Sequence, residues 1–205
     1  FMKFFASLLF EKYCQYCGAV GELICFICLK KIVNNYSIRK LNDKKIIYFF
    51  KNDPKIIELI VSYKDKNIYS LGSLLSFIIF AGLEILSQND TYAVVNVPTS
   101  PLNIKKRGSD PISQMTQQAC LLNIKKYHFK ENLIKNFQNR KDQVGLSFED
   151  RKLNLANSFK VSKKEKRPIF VIDDLITTGA SISESIKSLE AKGNTVQGCV
   201  VIACN

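Results

Sequence analysis

Ile169-Phe170-Val171-Ile172-Asp173-Asp174-Leu175-Ile176-Thr177-Thr178-Gly179-Ala180-Ser181 is the stretch from which the fold of this chain is read. Its first four residues are a continuous apolar run, which predicts a central strand of a parallel sheet, covered on both faces. Two adjacent carboxylates, Asp173 and Asp174, end that run, and a hydroxyl-rich loop with one glycine then opens a helix. Parallel α/β sheets bind ligands at the carboxyl ends of their strands. Backbone N–H groups entering a helix form an anion cradle, and Thr177, Thr178 and Ser181 add hydroxyl donors suited to a phosphate. Gly179 lets the backbone approach without a Cβ in the way. Carboxylates beside such a cradle repel phosphate, so Asp173 and Asp174 should face sugar hydroxyls, or a magnesium ion shared with a second phosphate. The implied ligand is a phosphorylated sugar with a metal. The plainer alternative is a strand end followed by an ordinary capped helix. No lysine follows the glycine, so the loop is not a Walker nucleotide loop, and no G-x-G-x-x-G supports a dinucleotide site.

Working outward, Ser181 to about Lys192 reads as an amphipathic helix with Ile182, Ile186 and Leu189 on one side, ended by Gly193. Thr195 to Ala203 is the next strand. Upstream, Tyr92 to Val97 is a short buried strand broken by Pro98 and Pro101, and Pro111 to about Asn123 is a helix opened by Asp110 as N-cap. Residues 124–160 are polar and basic with weak periodicity, which predicts a loop or mobile hairpin. Lys44 to Phe50 reads as a strand stopped at Asn52-Asp53-Pro54, after which Ile56, Ile57, Leu59, Ile60 and Tyr63 follow helical spacing. Strand, helix and strand joined by short connections predict an α/β fold with a parallel sheet flanked by helices.

The chain has 205 residues, 46% hydrophobic and 23% charged, with nine Gly and five Pro, which excludes a disordered tail or a low-complexity array. Its net charge of +12 is uneven. Residues 1–101 carry 12 basic and 8 acidic side chains, residues 102–170 carry 16 and 6, and residues 171–205 carry 2 and 4. The middle segment therefore suits anionic partners such as nucleic acid or pyrophosphate. Residues 1–10 are apolar but precede no small-residue cleavage site, and the apolar stretch 71–86, interrupted by Ser73, Ser76 and Glu84, is short of the ~20 residues of a membrane span. The expectation is a cytoplasmic protein with reduced thiols and no membrane span.

Cys14, Cys17, Cys25 and Cys28 form a C-x2-C-x7-C-x2-C pattern within a segment too poor in apolar residues to build its own core. Two such knuckles supply four thiolates, the donor set of a closed tetrahedral zinc site with a structural role. Redox-active or vestigial cysteines are the competing readings. The remaining cysteines, Cys120, Cys199 and Cys204, lie among apolar neighbours as core residues. The lone histidine, His128, sits in a basic run and reads as a surface side chain, or else as a base or a nucleic-acid contact beside Tyr127 and Phe129.

These residues together resemble a known family. The stretch 169–181 is similar to the PRPP-binding signature of type I phosphoribosyltransferases. The chain as a whole resembles the ComF family of competence-associated, phosphoribosyltransferase-like proteins. That likeness runs through the four cysteines, Tyr48, Tyr63-Lys64, Val94-Val95-Asn96-Val97-Pro98 and Lys106-Arg107-Gly108. It continues through Gln143, Leu146, Ser147, Asp150, Arg151, Asn154 and Phe159. The resemblance implies a zinc-binding module over residues 1–40 and a phosphoribosyltransferase-like α/β domain over 41–205. It implies that Thr177, Thr178, Gly179, Ala180 and Ser181 bind the 5′-phosphate of PRPP, and that Asp173 and Asp174 act on the ribose hydroxyls as the catalytic pair. Thr99 and Ser100 would form the pyrophosphate loop, Lys64, Arg107 and Arg151 further substrate contacts, and residues 139–151 a closing hood. Mg2+ would enter with PRPP, and Zn2+ would be structural. The family usually carries Phe-Asn-Gln where this chain has Ser109-Asp110-Pro111, which adds a negative charge near the expected pyrophosphate. The activity implied is phosphoribosyl transfer from PRPP to an acceptor, associated with DNA uptake. The alternative is a non-catalytic competence factor that uses the same fold to engage single-stranded DNA or DNA-uptake partners.

Overall fold

The computed structural model describes residues 13–14, 16–22, 24–66, 68, 71–137 and 158–204. The chain divides into two compact units, residues 1–36 and 37–205. In the first, Tyr13 and Val20 form an antiparallel bridge. Between them Cys14 N–H donates to Ala19 O and Gly18 N–H to Cys14 O, both at 2.8 Å. Gly18 takes φ +73°, the left-handed conformation that this tight turn requires. Helix α1 (Phe26–Asn34) follows, with Cys25 as its N-cap.

The second unit is built on a sheet with β1 (Ser37–Leu41), β2 (Lys44–Lys51), β3 (Tyr92–Asn96), β4 (Tyr127–Phe129), β7 (Ile169–Ile176) and β8 (Val196–Cys204). The strand order is β1-β2-β8-β7-β3-β4. β1 is antiparallel to β2, and the other pairings are parallel. β5 (Ile134–Asn136) and β6 (Phe159–Val161) pair separately as an antiparallel ribbon. β3 is buried along its whole length and β7 over its first four residues, as expected for strands covered on both faces.

The helices start where the sequence supplies caps. In α2 (Pro54–Asp65), Pro54 takes the first position and the Asp53 carboxylate accepts from Lys55 N–H at 2.9 Å and Ile56 N–H at 3.3 Å. Its apolar face, with Ile56, Ile60 and Tyr63, is buried and carries Lys64 to the domain's ligand edge. Helix α3 (Gly72–Leu86) packs on β8 so closely that a Cβ at Gly82 would collide with Val200. Two further proline-led helices, α4 (Pro101–Arg107) and α5 (Pro111–Leu121), are capped by Ser100 and Asp110. Between them Gly108, at φ +73°, ends α4. After β7, helix α6 (Ala180–Ala191) buries Ile182, Ile186 and Leu189 against the sheet's core.

The fold is the expected α/β arrangement of a mostly parallel sheet flanked by helices, with a four-cysteine cluster near the N-terminus. Three local differences from the sequence expectations have physical reasons. β7 continues through Asp173 and Asp174 to Ile176, because its ladder with β8 runs on to Ile176 and Cys204. The basic stretch expected as a loop or mobile hairpin holds the β5–β6 ribbon and, ahead of it, an edge strand of the main sheet, β4, whose Tyr127 stacks on Tyr92 with ring centroids 6.3 Å apart. Tyr127 also donates its hydroxyl to Glu84 at 2.7 Å, so one buried aromatic fixes a segment otherwise dominated by lysine. Ser37–Leu41 pairs into the main sheet, and its outward-facing residues give little apolar signal.

Candidate functional site

The ligand edge of the sheet is set by β3 and β7, where Val97 N–H donates to Ile172 O at 2.8 Å. That bond lays the turn Pro98-Thr99-Ser100-Pro101 beside the carboxylates of β7. Around it opens a cavity of about 360 Å³ whose lining includes Lys64, Thr99, Ser100, Arg107, Asp173, Asp174 and Ser181. Seven residues singled out from sequence, drawn from four separate segments, thus meet in one place. Thr177, Thr178, Gly179 and Ala180 form the adjoining loop into α6, where Ala180 N–H donates to Thr178 Oγ1 at 3.3 Å. Arg151 and the hood expected over 139–151 lie outside the described residues.

The two acids occupy different environments. Asp174 is buried, its side chain 4% exposed, and its carboxylate is ion-paired with the Lys64 ammonium. Asp173 is partly exposed to the cavity and accepts from Asp174 N–H at 3.0 Å. Burial, and then the neighbouring charge of Asp174, push the Asp173 carboxyl above the usual carboxylate range, while Lys64 pulls it down. Burial disfavours the Lys64 charge, but Asp174 and Asp173 together raise the lysine above its ordinary value. Lys64 is held there by its neighbours: Tyr63 donates to Pro111 O at 3.5 Å, and Asp65 pairs with Arg107 Nε at 2.8 Å. A lysine and an arginine are therefore presented together at the cavity wall.

Asp110 is not aimed at this cavity as a free charge. Its carboxylate accepts from Thr99 Oγ1 at 2.9 Å and Ser113 N–H at 3.3 Å, capping α5 and tying down the turn. Burial raises its pKa against those hydrogen bonds. Sequence reasoning also missed Asn103 and Asn136, which complete the cavity wall from α4 and β5. It missed Arg39 of β1 as well, whose Nη2 would lie 3.5 Å from a Cβ at Gly179. Asn103 and Asn136 carry no spacing signal, and Arg39 sits in a strand that was itself not anticipated.

In the N-terminal unit the Sγ atoms of Cys14, Cys17, Cys25 and Cys28 all lie within 4.8 Å of one another. A tetrahedral zinc with Zn–S bonds near 2.3 Å needs sulfur separations of about 3.8 Å, so the donors fit such an ion with little movement. Cys17 Sγ and Cys25 Sγ are already 3.6 Å apart. Cys25 N–H donates to Cys14 Sγ at 3.4 Å, and Cys25 and Cys28 lie at the start of α1. Among the described residues this is the one group of such side chains close enough together to hold a metal ion.

No protein-family model matches the chain, and no curated protein matches it. Among solved structures it is similar to an orotate phosphoribosyltransferase from Aeropyrum pernix, at 21% identity over 86% of this chain and 78% of that one, with TM-score 0.34. It is also similar to an adenine phosphoribosyltransferase from Thermoanaerobacter pseudethanolicus, at 11% identity over 86% and 99%, with TM-score 0.40. A third similar structure is the adenine phosphoribosyltransferase from Rhodothermus marinus, at 13% identity over 84% of each chain, with TM-score 0.37. These similarities are distant, and the functional reading rests on the geometry of the cavity. Among the described residues no helix is long and apolar enough to cross a membrane.

Proposed function

We propose that this chain binds PRPP with magnesium at the β7 edge and transfers its phosphoribosyl group to an acceptor, releasing pyrophosphate. The observation that carries the reading is the position of Asp173 and Asp174. They line one cavity together with Ser181, at the end of the hydroxyl-bearing loop into α6, and with a wall that presents Thr99, Ser100, Lys64 and Arg107. The loop suits the 5′-phosphate, the acids suit the ribose 2- and 3-hydroxyls, and the cationic wall suits the pyrophosphate. In the transfer the bond from the anomeric carbon to pyrophosphate breaks, and the electron pair leaves with the pyrophosphate. The acceptor's lone pair forms the new bond, and the acceptor gives up a proton. Asp173 and Asp174 hold the ribose as positive charge develops on the ring, and Lys64 and Arg107 stabilise the departing anion. Magnesium bound with the pyrophosphate would supply further neutralisation of that charge. The test is thermal stability with millimolar PRPP and Mg2+, which rises by mass action if the complex forms. A missing shift, or an equal shift in the Asp173→Asn/Asp174→Asn double variant, rejects the site. Pyrophosphate release on addition of cell extract tests for turnover.

The four cysteines hold one structural zinc on this reading. A closed S4 site leaves no open position for catalysis, and it supplies folding free energy to a segment with little core of its own.

A second reading, a cytoplasmic competence factor that binds single-stranded DNA, is favoured by one separate surface. A cavity of about 660 Å³ along the β5–β6 ribbon is lined by Lys130, Lys135, Lys160, Lys163, Lys192 and the exposed ring of Phe137, among others. Lys160 Nζ lies 5.2 Å from that ring's centre. Cations interleaved with an aromatic suit a phosphodiester strand. DNA affinity that falls steeply with salt, together with no turnover of PRPP, supports this reading over the first.

A further inference from the structure

β1 is clamped to the helix that follows the 177–181 loop. Its two-residue turn, Asn42-Asp43, takes φ +49° and +61°, the positive values that a tight hairpin needs. Asn42 Nδ2 donates to Ser183 Oγ at 2.6 Å, and Lys44 pairs with Glu190 at 2.7 Å, so turn and strand are fixed along α6. This brings Leu41 and Arg39 against Gly179, whose φ is +79°. A Cβ there would lie 3.2 Å from Leu41 Cδ2 and 3.5 Å from Arg39 Nη2. Arg39 is half-buried, and its Nε is buried without a hydrogen-bond partner. No carboxylate pairs with it among the described residues.

A guanidinium keeps its charge at any ordinary pH, so it cannot shed a proton to suit a buried position. A buried N–H without an acceptor is costly, and here it lies beside a loop built to hold an anion. An anion on that loop would neutralise the charge at Nη2 and, once the side chain closes on it, give the guanidinium N–H groups an acceptor. We infer that Arg39 is a phosphate-binding residue, closing its planar fork on a terminal phosphomonoester held by the 177–181 loop, and so selects sugar phosphates over bare pyrophosphate. This rests on the reading that the loop takes the 5′-phosphate, and it adds a cation from a strand outside the signature. The preference for arginine follows from the two-pronged geometry with which it meets phosphate oxygens.

The test uses the full chain as wild type, Arg39→Gln and Arg39→Lys. Calorimetry measures binding of ribose 5-phosphate and, separately, of pyrophosphate with Mg2+. Arg39→Gln should weaken ribose 5-phosphate about 10- to 100-fold, as expected for a lost charge-assisted hydrogen bond. Pyrophosphate binding should stay unchanged, the ligand-free melting temperature should not fall, and Arg39→Lys should restore part of the loss. Equal ribose 5-phosphate affinity in wild type and Arg39→Gln overturns the assignment of Arg39 alone, and so do equal losses for both ligands. If wild type binds neither ligand, the site reading falls and Arg39 with it. Should Arg39→Gln fail to fold, Arg39→Lys decides: a several-fold loss confined to ribose 5-phosphate supports the role, and no loss rejects it.

Discussion

The Lys64 ammonium at the end of α2 is ion-paired with the Asp174 carboxylate on β7, and both line the same cavity. Asp174 is almost wholly enclosed, so the pair is worth most when one member is removed. Lys64→Met leaves an uncompensated buried carboxylate and is expected to destabilise the chain by about 3–5 kcal/mol. Lys64→Met with Asp174→Asn removes both charges and should recover most of that loss. Urea unfolding of the two variants measures it. A Lys64→Met protein as stable as wild type would mean that water already reaches Asp174.

Asp173 gives the stability a pH dependence of definite sign. Burial and the charge of Asp174 push its carboxyl up from 3.8 to about 8, against the pull of Lys64. A carboxyl raised on folding keeps its proton in the native chain while the unfolded chain has lost it. Its stabilising contribution is therefore full below about pH 4 and disappears as pH rises towards 8. Asp173→Asn, which keeps the acceptor for Asp174 N–H, should flatten that slope and raise the melting temperature at pH 8. Melting curves from pH 4 to 9 that run parallel for the two proteins would contradict it.

How much of this was legible beforehand follows from where each residue's role is encoded. The acids of β7 and the hydroxyls after them announce themselves, because an apolar run, two carboxylates and a glycine are contiguous. Lys64, Thr99, Ser100 and Arg107 could be named by family likeness, but nothing in their spacing says that α2 and α4 converge on β7. That convergence depends on long-range contacts such as Tyr63 to Pro111 and Asp65 to Arg107. β1 was hidden because an edge strand with outward-facing side chains lacks an apolar signature, and Arg39 was hidden with it. β4 escaped notice because three residues give no measurable periodicity.

Asp110 illustrates how a residue that looks unfavourable in sequence can be absorbed by its surroundings. In the sequence the charge opposes pyrophosphate; in the structure it caps α5 and accepts from Thr99. Asp110→Ala should cost about 1 kcal/mol through the lost cap and free the turn. Asp110→Asn retains capping ability without the charge, so stability and pyrophosphate affinity should both change little. Calorimetric titration with magnesium pyrophosphate decides the point, and a several-fold gain in affinity in Asp110→Asn would show that the carboxylate is still felt at the cavity.

The four cysteines allow a prediction that is independent of the cavity. Their sulfurs already lie within 4.8 Å of one another, close to what one tetrahedral ion requires. Elemental analysis should find about one zinc per chain, and X-ray absorption should report four sulfur neighbours near 2.3 Å. Replacing Cys28 by serine removes one thiolate and should lower zinc retention steeply. Residues 1–36 form a compact unit of their own, so the thermal shift with PRPP and Mg2+ should be nearly the same in Cys28→Ser as in wild type. Two results would count against this account. One is a metal-free protein whose N-terminal amides stay protected from hydrogen exchange, since the segment would then hold itself together without the ion. The other is loss of the PRPP shift in Cys28→Ser, which would make the cluster part of the ligand site rather than a scaffold.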